Sequence, residues 1–242
     1  MIGTLAEKTL HAELKNYFEP DQTRHEIPVG SYIADIVNEN GIFEIQTRSF
    51  VKLRNKLSEF LEISPVTVIY PLPKTKWLVW VDENTGEATR KRKSPKQGGI
   101  HAAFPELYWI KQFLSHPNFR LIIVMADLEE YRYLNGWSEN RKRGSTRYDR
   151  LPVQIAEVLY FRDACDYLRF IPDELCDGFT SRDYKEAARV SQSTAQTALN
   201  ILHSLGTINR VGKQGNMYIY ERADGIISRA EHKNKGQENV HI

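Results

Sequence analysis

Apolar and polar positions repeat with two different periods near the amino terminus, and each period predicts an element. Residues 4–18 carry apolar side chains three to four positions apart, which predicts an amphipathic helix. Residues 25–47 alternate with a period of two around Asn40-Gly41, a pair that supplies the positive φ angles of a tight turn. We therefore predict a helix followed by two short strands joined as a hairpin. The apolar stripe of the helix consists of Leu10, Leu14, Tyr17 and Phe18.

Helices and strands are predicted in turn between the hairpin and residue 161. The helices cover residues 49–61 and 104–114, and the buried strands cover residues 66–70, 77–81 and 120–128. Residues 152–161 fit either a strand or a connection between domains. The order of helix, hairpin, helix, two strands, helix and strand predicts an α/β fold, with a mixed sheet flanked by helices.

From residue 179 onward the pattern changes to two short helices and a hairpin. The helices are predicted over residues 183–189, with Thr180 or Ser181 as the cap, and over residues 193–205. Strands over residues 207–211 and 217–220 follow, joined by a basic, glycine-rich tip. This order is the outline of a winged helix-turn-helix. We therefore predict a first domain at residues 1–160, a small winged-helix domain at 161–228, and a polar, disordered tail at 229–242.

Composition narrows the class of protein but does not name an activity. The 242 residues suffice for one large or two smaller domains, and a net charge of +2 excludes no class of partner. Cys165 and Cys176 have neither the spacing of a metal site nor that of a disulfide framework. The chain shows no secretory signal pattern and no apolar run of about 18 residues. We expect a cytoplasmic protein that does not bind membranes.

Two carboxylates fall at core-facing positions of the predicted hairpin. Asp35 shares a strand face with Val37, and Glu44 shares one with Ile42. A polar group buried without a partner costs roughly 2–7 kcal/mol. A bound divalent cation is the simplest group that would offset this cost.

These residues resemble the active-site hairpin of the PD-(D/E)XK nuclease superfamily. Asp35 followed by Glu44-Ile45-Gln46 fits its motif, except that a lysine usually stands at the position of Gln46. The segments 44–47, 52–57 and 92–96 further resemble a group of uncharacterised bacterial members with a carboxy-terminal winged helix. The resemblance covers most of the chain and implies a restriction-endonuclease-like fold.

The resemblance also implies a function, that of a hydrolase: a metal-dependent endonuclease that cleaves phosphodiester bonds in DNA. Asp35, Glu44 and the backbone carbonyl of Ile45 would bind Mg²⁺ or Mn²⁺. An acid on the first helix would complete the site, and Glu7 is our choice because it falls in the middle of the apolar stripe. Glu13 is the reserve. Gln46, the fourth catalytic position, would orient a water or a phosphate oxygen without supplying a full charge.

Basic and polar side chains elsewhere are predicted to contact DNA. Basic clusters at residues 90–96 and 140–150 would flank the bound backbone, and the second helix of the carboxy-terminal pair begins with side chains suited to base edges. Thr197 and Asn200 are expected to face outward there as well. The predicted nucleic-acid-binding residues are Arg90, Arg92, Lys93, Lys96, Arg141, Lys142, Arg143, Gln192, Ser193, Thr194, Gln196 and Lys213.

Several alternatives stay open at this point. Gln46 also fits a catalytically inactive DNA-binding scaffold or regulator built on a nuclease fold. The substrate could instead be RNA or a branched or single-stranded structure, and a homodimer is possible because superfamily members often act as dimers. His11 fits a core histidine or a substrate contact. The basic residues of the second helix are predicted to lie off its apolar face, where either a solvated surface or a phosphate contact is open, and winged helices also dock proteins. Those basic residues are Lys52, Arg54 and Lys56.

Overall fold

Five α-helices and nine strands make up the part of the chain described by the structure, a computed structural model, at residues 8–47, 49–95, 98–135 and 146–226. The α-helices are α1 (Lys8–Phe18), α2 (Leu53–Ile63), α3 (Phe104–Leu107), α4 (Ser181–Ala187) and α5 (Gln192–Ser204). The strands are β1 (His25–Val29), β2 (Tyr32–Asn38), β3 (Gly41–Ile45), β4 (Val66–Val81), β5 (Arg92–Lys93), β6 (Phe119–Tyr133), β7 (Arg147–Phe161), β8 (Ile208–Gln214) and β9 (Met217–Arg222). Short 3-10 helices cover Gln22–Arg24, Phe50–Lys52, Ile100–Ala103, Tyr108–Phe113 and Asp166–Phe170.

Strands β1 to β7 form one mixed sheet in the order β1-β2-β3-β4-β6-β7, with β5 paired to β4. The pairs β1–β2, β2–β3 and β6–β7 are antiparallel, whereas β3–β4 and β4–β6 are parallel. Helices lie on both faces of this sheet, so the prediction of a mixed α/β sheet flanked by helices is confirmed. No helix in the described ranges is long and apolar enough to cross a membrane.

The amino-terminal hairpin contains one strand more than predicted. The turn between β2 and β3 is confirmed, and Gly41 adopts a φ of 111° there. A Cβ atom at Gly41 would lie 2.3 Å from the carbonyl oxygen of Pro65, so both the backbone angle and the space require glycine. A second turn at Gly30, with a φ of 55°, joins β1 to β2. Pro28 is tolerated in β1 because that strand lies at the sheet edge.

The prediction of two separate strands at residues 66–70 and 77–81 is wrong, because β4 runs through both of them. Pro71 and Pro73 stay in register opposite Val124 and Ala126 of β6, and a bulge follows before Lys76. Proline cannot donate to a strand ladder, and a bulge is one of the places where a sheet accommodates it. A long strand therefore continues where the sequence indicated a break.

One further element in this region differs from the prediction, and another decides between two open interpretations. The single helix expected over residues 104–114 is α3 followed directly by a 3-10 helix, and Ile110 within that 3-10 helix is non-helical (φ −114°, ψ 15°). Residues 152–161, for which two interpretations were open, belong to strand β7.

The two faces of the sheet have separate cores. On one face, α2, α3 and the carboxy-terminal helices pack together, and Phe104, Phe170 and Leu199 belong to the same buried cluster. On the other face, α1 places Leu10 and Leu14 against the sheet. The sheet residues of that second cluster are Ile36, Ile45, Ile69, Ile122, Val124, Ala126 and Leu128.

The carboxy-terminal unit consists of α4, α5 and the β8–β9 hairpin. Thr180 caps α4 in a capping box with Asp183, as predicted, and Ser181 is the first helical residue. The buried hydroxyl of Tyr184 donates to the carbonyl oxygen of Phe170 at 2.7 Å, which ties α4 to the segment that follows β7. The division at residue 160 stays a prediction, and the expected tail at 229–242 lies outside the described residues.

Candidate functional site

Asp35 and Glu44 lie together at the point where β2 and β3 stop pairing. The last residues paired across the two strands on this side are Ile36 and Phe43. Beyond them the backbone N–H of Ile45 donates to Asp35 Oδ2 at 2.7 Å, and the backbone N–H of Asp35 donates to Glu44 Oε1 at 3.2 Å. The two carboxylates therefore accept from backbone N–H groups that the strand ladder leaves without a partner.

Burial separates the proton affinities of the two carboxylates. The side chain of Glu44 is 4% exposed, and burial, with the neighbouring charge of Asp35, raises the pKa of Glu44 to about 7 against the opposing effect of Lys56. Burial also disfavours the charged form of Asp35. The hydrogen bond and charge of His11 and the N–H of Ile45 outweigh that effect and hold the pKa of Asp35 below its ordinary value. Asp35 is thus ionised near neutral pH, and Glu44 is poised to gain or lose a proton.

Each carboxylate also has a basic partner from a helix. Lys56 Nζ, on α2, donates to Glu44 Oε2 at 2.7 Å, and His11 Nε2, on α1, lies 3.2 Å from Asp35 Oδ2. The two helices pack on opposite faces of the sheet. The site is therefore built from both layers, and His11 is hydrogen-bonded to one of the carboxylates.

The prediction that Lys56 lies off the apolar face of α2 is wrong, and the sequence contains a signal for its actual position. Leu53, Lys56, Leu57 and Phe60 stand at i, i+3, i+4 and i+7, so Lys56 falls within the apolar stripe of α2. A lysine in a core-facing stripe needs a partner, because lysine is almost never buried unpaired. By contrast, Lys52 and Arg54 are exposed.

Gln46 is directed into the connection between β3 and α2. Its side-chain Nε2 donates to the carbonyl oxygen of Ser49 at 2.7 Å, and its backbone N–H donates to Ile69 at 2.9 Å. This bond uses one of the two N–H groups of the amide, so the predicted role of orienting a water or phosphate would depend on its oxygen and its other N–H.

The two acids proposed on the first helix are placed differently. Glu7 lies outside the described residues. Glu13 is exposed and lines a surface groove with Tyr17 and Val153, two positions and about 200° around α1 from His11. The structure does not bring Glu13 to the two carboxylates.

The segment that follows β3 is fixed by neighbouring groups. The backbone N–H of Phe50 donates to Glu106 Oε2 at 2.8 Å, and the Phe50 ring centroid lies 4.8 Å from that of Tyr70. Burial and the charge of Glu106 raise the pKa of Tyr70 to about 12, while Arg150 opposes this shift. The Arg150 guanidinium also donates to the carbonyl oxygen of Thr47 at 3.3 Å. Arg150, from the second basic cluster, thus binds the segment that follows β3 instead of projecting into solvent.

The first basic cluster lies well away from the carboxylates. Arg90, Arg92 and Lys93 are exposed. Lys93 pairs with Trp77, nine residues along β4 from Val68, the partner of Glu44, which is roughly 25–30 Å at the rise of a strand. Of the remaining predicted basic contacts, Lys96, Arg141, Lys142 and Arg143 lie outside the described residues.

The predicted DNA-facing side chains of α5 divide into two groups. Ser193 and Gln196 are exposed, whereas Gln192 Nε2 donates to Ser181 Oγ at 3.0 Å and Asn200 Oδ1 accepts from Lys111 Nζ at 2.7 Å. The expectation that Gln192 and Asn200 face outward is therefore wrong, because both bind neighbouring elements.

Three further polar side chains of the carboxy-terminal unit were expected to be available. Thr194 is half-buried at the start of α5, where Ser191 accepts from its backbone N–H, and the hydroxyl of Thr197 donates back to Ser193 at 2.9 Å. Lys213 is exposed in β8, with Nζ 5.1 Å from the centroid of the Tyr218 ring. Of these three, Lys213 is the one that projects from the surface.

Comparison with known proteins places the sheet in a family. A family described as "Domain of unknown function (DUF8091)" matches residues 8–162, from the first residue of α1 to one residue past β7. The chain belongs to this family. Its matched region includes Asp35, Glu44, His11 and Lys56. An "Uncharacterized protein" of Treponema pallidum (strain Nichols) is 26% identical over 222 residues, which cover 91% of this chain and 87% of the relative. No solved structure matches the chain.

The donor atoms at the site suit a hard cation. Asp35 and Glu44 offer carboxylate oxygens, the ligands that Mg²⁺ and Mn²⁺ prefer. Within the described ranges, however, no group of three or more His, Cys, Asp or Glu side chains is arranged to hold a metal ion. Two protein carboxylates with waters are a common way to hold Mg²⁺, so the donor set fits such an ion while leaving positions for other ligands.

Proposed function

We propose that this protein is a metal-dependent endonuclease that hydrolyses phosphodiester bonds in DNA. The observation that carries the proposal is the pairing of Asp35 with Glu44 where β2 and β3 part. Structural carboxylates at such a depth would be replaceable by neutral hydrogen-bonding groups. The pair supplies two carboxylates, the oxygen ligands that a divalent cation prefers, although Lys56 and His11 already offset part of the cost of burying them.

The order of elements supports a restriction-endonuclease-like fold for this proposal. A helix, three antiparallel strands, a second helix and a strand parallel to the third follow one another from α1 to β4. This order agrees in outline with the core of the PD-(D/E)XK superfamily, to which the hairpin motif bears its resemblance.

Each residue around the site would have a distinct role in binding the metal ion. Asp35, Glu44 and the carbonyl oxygen of Ile45 would hold Mg²⁺ or Mn²⁺, with Glu7 as a further ligand. A bound ion of this kind stabilises negative charge on the phosphate and makes a bound water more acidic. Glu44 must lose its proton before it can bind a cation, whereas Asp35 is already ionised. His11 keeps Asp35 in that state.

The carboxy-terminal unit would assist in binding DNA as a winged helix-turn-helix. Helix α4, helix α5 and the β8–β9 hairpin have the required order. Ser193 and Gln196 at the start of α5 remain exposed for contacts with bases or phosphates, and Lys213 does so on the hairpin. Nearby, the guanidinium of Arg210 lies 4.1 Å from the ring centroid of Tyr218. These cationic and polar groups support DNA as the partner.

A second candidate is a DNA-binding scaffold or regulator without nuclease activity. The observation in its favour is the bond between Gln46 and Ser49, which occupies the amide where the superfamily usually has a lysine. In such a protein Asp35 and Glu44 would serve only as acceptors for the backbone N–H groups of the parted strands. The activity assay separates the two candidates.

A plasmid-nicking assay tests the proposed function. Wild-type protein should convert supercoiled DNA to the nicked form with Mg²⁺ or Mn²⁺ and not with EDTA, and Asp35→Asn should abolish the conversion. Asparagine keeps an oxygen for the N–H of Ile45, so the fold is preserved. Glu13→Gln, which removes an exposed carboxylate of α1, is the matched control. Equal nicking by wild type and Asp35→Asn would reject this site, and no nicking of supercoiled, linear or single-stranded DNA by wild type would favour the scaffold.

A further inference from the structure

We propose that Lys56 is a catalytic residue of this site, and that its ammonium contacts the phosphate of the bound substrate in place of the lysine absent at position 46. The inference rests on the proposed endonuclease function and adds a residue to it. Its basis is the placement of Lys56 on Glu44 together with the engagement of Gln46 elsewhere.

Lys56 is fixed in place by its helix. Its Nζ lies 2.7 Å from Glu44 Oε2 and 5.6 Å from the centroid of the Phe60 ring, one turn further along α2. Its side chain is 20% exposed, whereas that of Glu44 is 4% exposed. The Lys56 side chain is thus more accessible to solvent than the carboxylate that it contacts.

Gln46 brings no charge to the site. The side chain of Gln46 is neutral, and its Nε2 donates to Ser49 at 2.7 Å. His11, the other basic neighbour, lies on Asp35 and comes from the opposite face of the sheet. Among the described side chains that touch the two carboxylates, Lys56 therefore carries the full positive charge on the α2 side.

Charge balance indicates when Lys56 would turn to the substrate. When both carboxylates are ionised, they and the ammonium of Lys56 together carry a single negative charge, apart from any charge on His11. A divalent cation changes this to a single positive charge, which one phosphodiester group neutralises. A cation held by Glu44 would weaken the attraction of this carboxylate for Lys56, and the ammonium would then be available to the negative charge of a phosphate.

A purely structural role explains the Lys56–Glu44 ion pair less well than a catalytic role does. Replacing a buried ion pair by apolar residues of similar volume is often neutral or stabilising, so stability alone gives little reason to keep Lys56 on Glu44. A structural role and a catalytic role also predict different measurements. A structural pair changes the melting temperature and leaves the activity of the folded protein unchanged.

The test compares Lys56→Gln with Lys52→Gln, which removes an exposed lysine one turn earlier along the same segment. Three quantities are measured on each protein: the affinity for Mn²⁺ by calorimetry, the affinity for DNA in Ca²⁺ by fluorescence anisotropy, and the nicking rate. Lys56→Gln should bind Mn²⁺ at least as tightly as wild type, bind DNA more weakly, and nick about 10²–10³-fold more slowly. Lys52→Gln should match wild type in Mn²⁺ affinity and nicking rate.

Moving the charge gives a second, independent arm. The double variant Gln46→Lys, Lys56→Gln places a lysine at position 46 and should recover at least tenfold of the lost nicking rate. Lys56→Met, which keeps the apolar stem that packs on Phe60, covers the case in which Lys56→Gln does not fold. It should show the same slow nicking with normal Mn²⁺ affinity.

The outcomes separate this inference from the proposed function. If wild type nicks DNA and folded Lys56→Gln or Lys56→Met nicks within twofold of it with unchanged DNA affinity, the inference is wrong and the endonuclease stands. If wild type neither binds Mn²⁺ nor nicks DNA, the proposed function fails and the role of Lys56 fails with it.

Discussion

The backbone N–H of Ile45 donates to Asp35 Oδ2 at 2.7 Å, so a side chain of β2 replaces the backbone partner that β3 would otherwise find in that strand. Asp35 therefore has two roles in this account. It completes the hydrogen bonding of the parted strands, and it would bind the metal ion. The two roles can be separated experimentally, because the first requires an oxygen acceptor and the second requires a charge.

Stability should distinguish a lost acceptor from a lost charge at position 35. Asp35→Ala leaves the N–H of Ile45 without its partner and should lower the free energy of unfolding by about 1–3 kcal/mol. Asp35→Asn keeps an acceptor oxygen and should cost clearly less. Urea denaturation followed by circular dichroism measures both. Equal losses for the two variants would contradict the role of Asp35 as an acceptor in the sheet.

The raised pKa of Glu44 predicts a specific dependence of stability on pH. An unfolded glutamate titrates near 4.3, and Glu44 in the folded protein titrates at about 7. Between these values the folded state keeps a proton that the unfolded state releases. The free energy of unfolding should therefore fall as pH rises through this window, by an amount on the order of 3 kcal/mol, and level off above it.

Glu44→Gln removes that titration. Relative to wild type, the variant should gain stability steadily from pH 5 to pH 8 in the absence of divalent cations. Melting temperatures of the two proteins at several pH values provide the comparison. A difference that stays constant across this range would show that Glu44 does not titrate there.

The low pKa of Asp35 should depend on His11. Burial alone would raise the pKa of Asp35, and the hydrogen bond and charge of His11 are the largest of the effects that reverse this. His11→Ala should therefore raise the pKa of Asp35, as followed by NMR of aspartate carboxyl carbons. His203→Ala, on α5, serves as the control. An Asp35 titration that is the same in both variants would remove His11 from the site.

Tyr184 should couple the carboxy-terminal helices to the rest of the core. Its buried hydroxyl donates to Phe170 at 2.7 Å. Tyr184→Phe should lower the free energy of unfolding by about 0.5–1.5 kcal/mol, because the carbonyl oxygen of Phe170 keeps its bond from His101 Nε2 at 3.0 Å but loses the one from Tyr184. Tyr218→Phe should have little effect, because Tyr218 is 39% exposed. Thermal or urea unfolding measures both variants, and equal effects would show that the hydroxyl of Tyr184 is not needed.

The exposure of α5 side chains predicts which of them contact DNA. Gln196→Ala should weaken binding by roughly 1–3 kcal/mol if Gln196 contacts a base, and Ser193→Ala should weaken it less. Asn200→Ala should leave the affinity nearly unchanged, since Asn200 binds Lys111. Fluorescence anisotropy with duplex DNA compares the three. A larger loss for Asn200→Ala than for Gln196→Ala would reject this face of α5 as the DNA-binding surface.

The features that the sequence predicted correctly are those fixed by neighbouring residues. The turn at Asn40-Gly41 requires glycine for local reasons, and strand alternation then places Asp35 and Glu44 together within ten residues of each other. Thr180 was predicted as a cap because a cap and its helix are adjacent in sequence. Short-range rules suffice for such features.

The features that were missed depend on contacts across the fold. The continuity of β4 through Pro71 and Pro73 is decided by its long pairing with β6, about fifty residues later. The position of Lys56 on Glu44 depends on how α2 packs against the sheet, which the periodicity of α2 indicates only as a face. Gln192 and Asn200 were expected at the surface because their partners, Ser181 and Lys111, belong to other elements.

The most direct test of the central claim is calorimetric titration of the protein with Mn²⁺ at pH 6, in two buffers of different ionisation enthalpy. Wild type should bind the ion and release close to one proton, because Glu44, with a pKa of about 7, is largely protonated at that pH. Asp35→Asn and Glu44→Gln should each lose the binding, and Glu13→Gln should retain it. Absence of binding by wild type, even with DNA supplied, would contradict the assignment of Asp35 and Glu44 as a metal site.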